Sequence, residues 1–209
     1  MSALALFAGT WRRHGFRASA VKALARTMHR RVLIEGVDDD FPRAPPPRDL
    51  AMPHVARYSG FDVFAPYVDR CNRFFGELHR RRFAFHHLDV RTERYNPNGA
   101  PGFADARFPP ADGDVDLVSA ASLFTHLYPD GARAYAREMA RVLDGTGFAA
   151  VSFHDRPETG RPFSGTEHRT DYDADAFQRI FADAGFGLVE DAGDVCGQRT
   201  LLLRKRATT

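Results

Sequence analysis

The stretch Asp116-Leu117-Val118-Ser119-Ala120-Ala121-Ser122-Leu123-Phe124-Thr125-His126 decides how the rest of this 209-residue chain is read. Its first six residues form a short, largely apolar run of strand length. A helical pattern follows from Gly131 to Leu143. Asp144-Gly145-Thr146-Gly147 then reads as a turn, and Phe148 to Phe153 as the next strand. Working upstream, Phe83 to Val90 alternates like a strand and ends near Asp89. Pro66 to Arg80 places Val68, Cys71, Phe74, Phe75 and Leu78 on one helical face, and Tyr58 to Val63 is a strand ending on Asp62. Downstream, Ala174 to Ala184 is a helix, and two strands, Gly187 to Glu190 and Gln198 to Arg204, close the chain.

Strands alternating with helices predict an α/β fold: a Rossmann-like, doubly wound, mostly parallel sheet. The last two strands have no helix between them, so they predict an antiparallel C-terminal hairpin. In such sheets ligands gather at the carboxyl ends of strands, which directs attention to Glu35, Gly36, Asp62, Asp89, Ala120 to Ser122 and His154. Ahead of the core, Arg17 to His29 reads as an amphipathic helix and Val32-Leu33-Ile34 as a short strand. Prolines 42, 45, 46, 47 and 53 exclude a continuous helix from Pro42 to Pro53. The expected division is a basic helical segment over 1–31 and one α/β domain over 32–206.

Composition narrows the function classes. Hydrophobic residues make up 44% and charged residues 27%, with a net charge of +2, an ordinary globular mixture. There is no global electrostatic case for nucleic acid or an anionic membrane, and the basic N-terminal cluster reads as a solvated helix face. Cys71 and Cys196 are too few for a metal framework, and contiguous Asp38, Asp39 and Asp40 diverge too much to favour one cation, so no metal is expected. No stretch is long enough for a membrane span and no signal peptide is evident, which makes the cytoplasm the expected setting.

Several segments, in this order, resemble the class I S-adenosylmethionine (SAM) dependent methyltransferase family. They are Tyr58 to Val63, His87-Leu88-Asp89-Val90, Asp116 to His126, Glu138 to Gly147 and Gly197-Gln198-Arg199-Thr200-Leu201. The resemblance runs from about Val32 to Arg206 and implies a seven-stranded sheet with a reversed final hairpin. It also implies SAM as cofactor. Asp62, followed by Val63, would accept hydrogen bonds from the ribose hydroxyls, since a carboxylate at a strand end takes two donors at once. Asp89 would accept from the adenine amino group while Val90 packs on the ring. Ala120, Ala121 and Ser122 would line the methyl end. For Asp62 a helix-capping role, and for Asp89 a simple strand-end turn, are the structural alternatives.

One part of the pattern is eroded. The family's first strand leads into an acid and alternating glycines that let backbone donors approach the cofactor. Here that motif falls on Val32 to Asp40, where only Gly36 remains, Glu35 is displaced by one residue, and three aspartates fill the turn. Two readings stay open: SAM-dependent methyl transfer to a small-molecule acceptor, or a silent methyltransferase-like protein acting as scaffold or regulatory partner of another protein. For the enzyme, His126 and His154 are the candidate bases, with a structural hydrogen bond to a backbone carbonyl as the alternative for His126. Arg156 to Tyr172 is expected to be a long loop over the acceptor side, with His168, Arg169 and Tyr172 as further contacts.

Overall fold

The computed structural model describes residues 57–79, 83–93, 95–100, 102–103, 106–158, 160–195 and 197–206. The expected N-terminal helix, the Val32–Ile34 strand, Glu35, Gly36, the Asp38–Asp40 run and the prolines up to Pro53 lie outside them. The described residues fall into two compact units, one within Asp38–Ala111 and one from Asp112 onward.

In the first unit, β1 (Tyr58–Asp62), α1 (Ala65–His79) and β2 (Phe83–His87) form a strand–helix–strand unit. The strands pair in parallel, from Tyr58 opposite Phe83 to Asp62 opposite His87. Gly60 makes this packing possible. A β-carbon there would lie 2.7 Å from the Phe85 ring and 3.0 Å from that of Tyr58, rings whose centroids are 5.6 Å apart. Asn72 on α1 bonds the main chain of Phe85 in both directions, donating to its carbonyl at 2.8 Å and accepting from its amide at 3.2 Å. A helix side chain thus does for β2 what a further strand would do.

The second unit contains β3 (Val115–Ala120), a 3-10 turn (Phe124–His126), α2 (Pro129–Val142), β4 (Leu143–Phe153), β5 (Phe163–Thr166), β6 (Arg169–Tyr172), α3 (Ala174–Asp183), β7 (Phe186–Val195) and β8 (Gln198–Lys205). Four strands make one mixed sheet in the order β3-β4-β8-β7. β3 and β4 are parallel, whereas β8 is antiparallel to both β4 and β7. The expected closing hairpin is therefore present, with β8 inside the sheet and β7 at its margin. The run Leu201-Leu202-Leu203, all buried, suits that interior position.

Aromatic rings fill the core under this sheet. Phe177 of α3 stacks on Phe153 at 4.0 Å and meets Phe124 edge-on at 5.3 Å; all three are fully buried. Such pairs add about 0.5–1.5 kcal/mol each beyond area burial. α2 begins two residues earlier than its periodicity suggests, because Pro129 occupies a first-turn position where no amide donor is needed. α3 is capped by Asp173, which accepts from the Ala176 amide at 2.9 Å.

Two expectations are corrected. Asp144 to Gly147 is a bulge within β4, not a turn before it: the pairing jumps from Val115–Leu143 to Leu117–Phe148, and the Asp144 carboxylate holds the Thr146 amide at 2.7 Å. The segment from Arg156 to Tyr172 is not a plain loop, since it contains the β5–β6 hairpin. Gly165, at φ +101°, permits the tight backbone approach to Arg169 that this hairpin needs. Among the described residues no helix is long and apolar enough to cross a membrane.

Candidate functional site

In the first unit the parallel register brings the carboxyl ends of β1 and β2 to one edge. The Leu88 amide donates to the Asp62 carbonyl at 2.9 Å, and His87 Nε2 lies 3.1 Å from the Val63 carbonyl. Asp62, Val63, Asp89 and Val90 therefore cluster at one strand-end edge. The exposed Asp62 carboxylate accepts from the Phe64 amide at 2.8 Å, at the entrance to α1. Its surroundings remove enough water to raise its pKa, against the lowering pull of the Phe64 and Val63 amides and of His87. Asp89 Oδ1 accepts from Asn96 Nδ2 at 3.0 Å and from the Ala100 amide at 3.4 Å, which ties down the loop beyond β2. Val90 is buried at 2% exposure. Asp89 thus makes the turn foreseen for it, while Asp62 makes a local turn to the residue before α1 and bonds no amide of the helix itself among the described residues.

In the second unit the end of β3 is held by a closed hydrogen-bonded ring. The Ser122 amide donates to Ser152 Oγ at 3.0 Å. Ser152 Oγ donates to Gln198 Oε1 at 2.6 Å, and Gln198 Nε2 donates back to Ser122 Oγ at 2.7 Å. Ser152 and Gln198 are buried. Ser122 has φ +57°, the left-handed region that a β-carbon disfavours. A residue held in that region, with its amide and hydroxyl both fixed by buried partners, is a pre-set backbone corner at a strand end. Ala121 precedes it, half-buried. Ser152 and Gln198 were not among the sequence candidates; the only hint was a polar residue at each end of otherwise apolar strands.

His126 Nδ1 lies 2.9 Å from the Glu167 carbonyl in the β5–β6 turn. A carbonyl only accepts, so Nδ1 carries the proton and the neutral ring has its lone pair on Nε2. The structural bond foreseen for His126 is thus made, to a carbonyl 41 residues away in sequence. His154 follows β4 directly and is half-buried. Burial lowers its pKa, Arg169 and His126 lower it further, and Asp171 and a Gly197 backbone hydrogen bond oppose them. The imidazole is therefore held towards its neutral form, the form that can accept a proton. Tyr172 is buried at 1% exposure, and its hydroxyl donates to the Leu127 carbonyl at 2.6 Å.

His154 lines a cleft of about 570 Å³ whose wall also includes Arg199 of β8, Gly197 of the β7–β8 turn and Asp191 and Asp194 of β7. Asp155 does not pair with His154. It pairs with Arg199, whose other side holds Asp191 at 2.6 Å. Burial raises the Asp191 pKa, but the Arg199 hydrogen bond, the Gly193 amide and the Arg199 charge outweigh it and hold the carboxyl below its ordinary range. Arg169 binds both oxygens of Asp171 at 2.9 Å each. Among the described residues no group of side chains is arranged to hold a metal ion.

No protein-family model matches the chain. Solved structures do. The YcgJ protein from Bacillus subtilis is 16% identical with a TM-score of 0.53, over 76% of this chain and 87% of that one. The cyclase SpnF is 18% identical with a TM-score of 0.53, over 73% and 68%. Magnesium protoporphyrin IX methyltransferase from Synechocystis PCC 6803, solved with bound S-adenosylhomocysteine (SAH), is 16% identical with a TM-score of 0.50, over 71% and 64%. This chain has a class I methyltransferase fold. It spans less than two thirds of the length of some structures it matches, 64% of the Synechocystis enzyme and 61% of another. Since one neighbour with this methyltransferase fold is named a cyclase, the fold alone does not assign the reaction.

Proposed function

We propose that the chain is a SAM-dependent methyltransferase acting on a small-molecule acceptor. The observation that carries this reading is the in-register β1–β2 pair, which sets the carboxylates of Asp62 and Asp89 at one strand-end edge within the methyltransferase fold. Their chemistry fits SAM. Both are exposed acceptors, and adenosine offers hydroxyl and amino donors. Asp62, with Val63, takes the ribose hydroxyls. Asp89 takes the adenine amino group on the oxygen not engaged by Asn96, and Val90 supports the ring.

When bound, SAM supplies an electrophilic methyl group on a sulfonium, and positioning provides most of the acceleration. The chain's own part is to align the acceptor and take its proton. His154, held towards its neutral form, would accept the proton that the acceptor gives up. His126, anchored through Nδ1, is the second base. The eroded loop at Val32 to Asp40 motivates the alternative of a silent scaffold, and a direct assay separates the two. Single-turnover incubation of the full chain with SAM and a panel of small amines, phenols and carboxylic acids is expected to release SAH with at least one acceptor. No release with any of them overturns the catalytic reading.

A further inference from the structure

The cleft beside His154 differs from an ordinary small-molecule pocket in what it lacks. Sites of this size are usually lined by apolar and aromatic side chains, with a few polar groups to orient the ligand. Among the described residues every lining side chain is ionisable, and the other wall residues are Gly193 and Gly197. With no apolar side chain on that wall, a ligand is told apart by its charges.

Internal pairing shows which charges are left for it. Arg169 is matched by Asp171, and Arg199 is shared by two acids, Asp155 and Asp191. Arg156, exposed on the same wall, has no ion pair among the described residues. Asp194, also exposed, accepts only the Gly197 amide at 3.0 Å among the described residues. One guanidinium and one carboxylate without an ion pair among the described residues thus face a single cleft whose histidine is held towards neutral. A purely anionic ligand would meet Asp194, and a purely cationic one would meet Arg156.

We infer that the cleft binds a small zwitterion, a molecule carrying both a carboxylate and a protonated amine, with the carboxylate on Arg156 and the amine on Asp194 beside the Asp155–Arg199–Asp191 cluster. Deepening the methyltransferase reading, on which it rests for the word acceptor, this assigns the acceptor to the amino-acid class. Arg156 and Asp194 set specificity by charge, and like-charge contacts reject ligands that lack either group.

The test is calorimetry of the full chain, without SAM, against the free amino acids, each compared with its N-acetyl derivative and its methyl ester. At least one free amino acid is expected to bind in the millimolar range or tighter, with its two blocked forms weaker by about tenfold or more. Arg156→Ala should weaken the free amino acid and strengthen the ester, whose amine it no longer repels. Asp194→Asn, which keeps the acceptor for the Gly197 amide, should weaken the free amino acid and strengthen the N-acetyl form. Equal binding of either blocked form, or no binding by any free amino acid at millimolar concentration, overturns the inference. Cofactor binding is measured separately, so the two failures are distinguishable. Amino-acid binding without SAM binding would sink methyl transfer and leave the cleft assignment standing, and the reverse would sink the cleft assignment alone.

Discussion

Gln198 Nε2 donates to Ser122 Oγ across 2.7 Å, joining the first residue of β8 to the corner after β3, 76 residues earlier in the chain. With Ser152 it closes a ring in which the Gln198 amide oxygen and nitrogen each have a serine hydroxyl as partner. A buried network is worth most when fully satisfied, and removing one member leaves the others stranded. Gln198→Ala should therefore cost about 1–3 kcal/mol, measurable as a lower midpoint in urea unfolding at unchanged slope.

Ser122 allows a second, opposed comparison. Both Ser122→Ala and Ser122→Gly remove the hydroxyl that Gln198 needs, but only glycine relieves the left-handed backbone. The glycine variant should be more stable than the alanine variant by about 1 kcal/mol. Equal stabilities would mean that the corner is not strained.

The pH dependence of His154 follows from its surroundings. Its pKa lies below the ordinary value of 6.5, so between the two values the unfolded chain binds more protons than the folded one. This contribution to stability is complete above 6.5 and is lost as the pH falls towards the folded pKa. Titration of the His154 ring by NMR should give a midpoint below 6.5. Arg169→Gln should raise that midpoint by removing a positive neighbour, and Asp171→Asn should lower it. If His154 is the base, methyl transfer should fall along the same curve.

Gly165 controls whether the β5–β6 hairpin holds His126. A β-carbon there would collide with the main chain of Arg169 at a φ that already disfavours it. Gly165→Ala should open the hairpin and release His126 Nδ1 from the Glu167 carbonyl. The expected readouts are faster amide exchange at Asp171, paired with Ser164 across the hairpin, and a shift of the His126 ring resonances. Unchanged exchange would show that the hairpin tolerates the side chain.

The described strands and helices were largely legible because their signals are local. Apolar runs ending on acids marked β1 and β2, and the helical pattern from Gly131 to Leu143 marked α2. The β5–β6 hairpin was not legible, since Pro162, Gly160 and Gly165 give its sequence the composition of a loop while its strands depend on Tyr172 reaching Leu127. At the site, strand-end positions pointed to Asp62, Asp89 and His154. The Gln198–Ser152–Ser122 ring was invisible because it joins three distant segments, and the Arg199 clamp because it ties the β7–β8 hairpin to Asp155, through side chains whose partners only the fold brings near.

The central claim is that the chain binds SAM through the carboxylate ending β1. Calorimetry of the full chain with SAH, comparing the native protein with Asp62→Ala, tests it most directly. The account predicts saturable binding by the native chain, weakened by about tenfold or more in the variant, equivalent to about 1.4 kcal/mol. Absence of binding at millimolar SAH, or equal affinity in the two proteins, would contradict it.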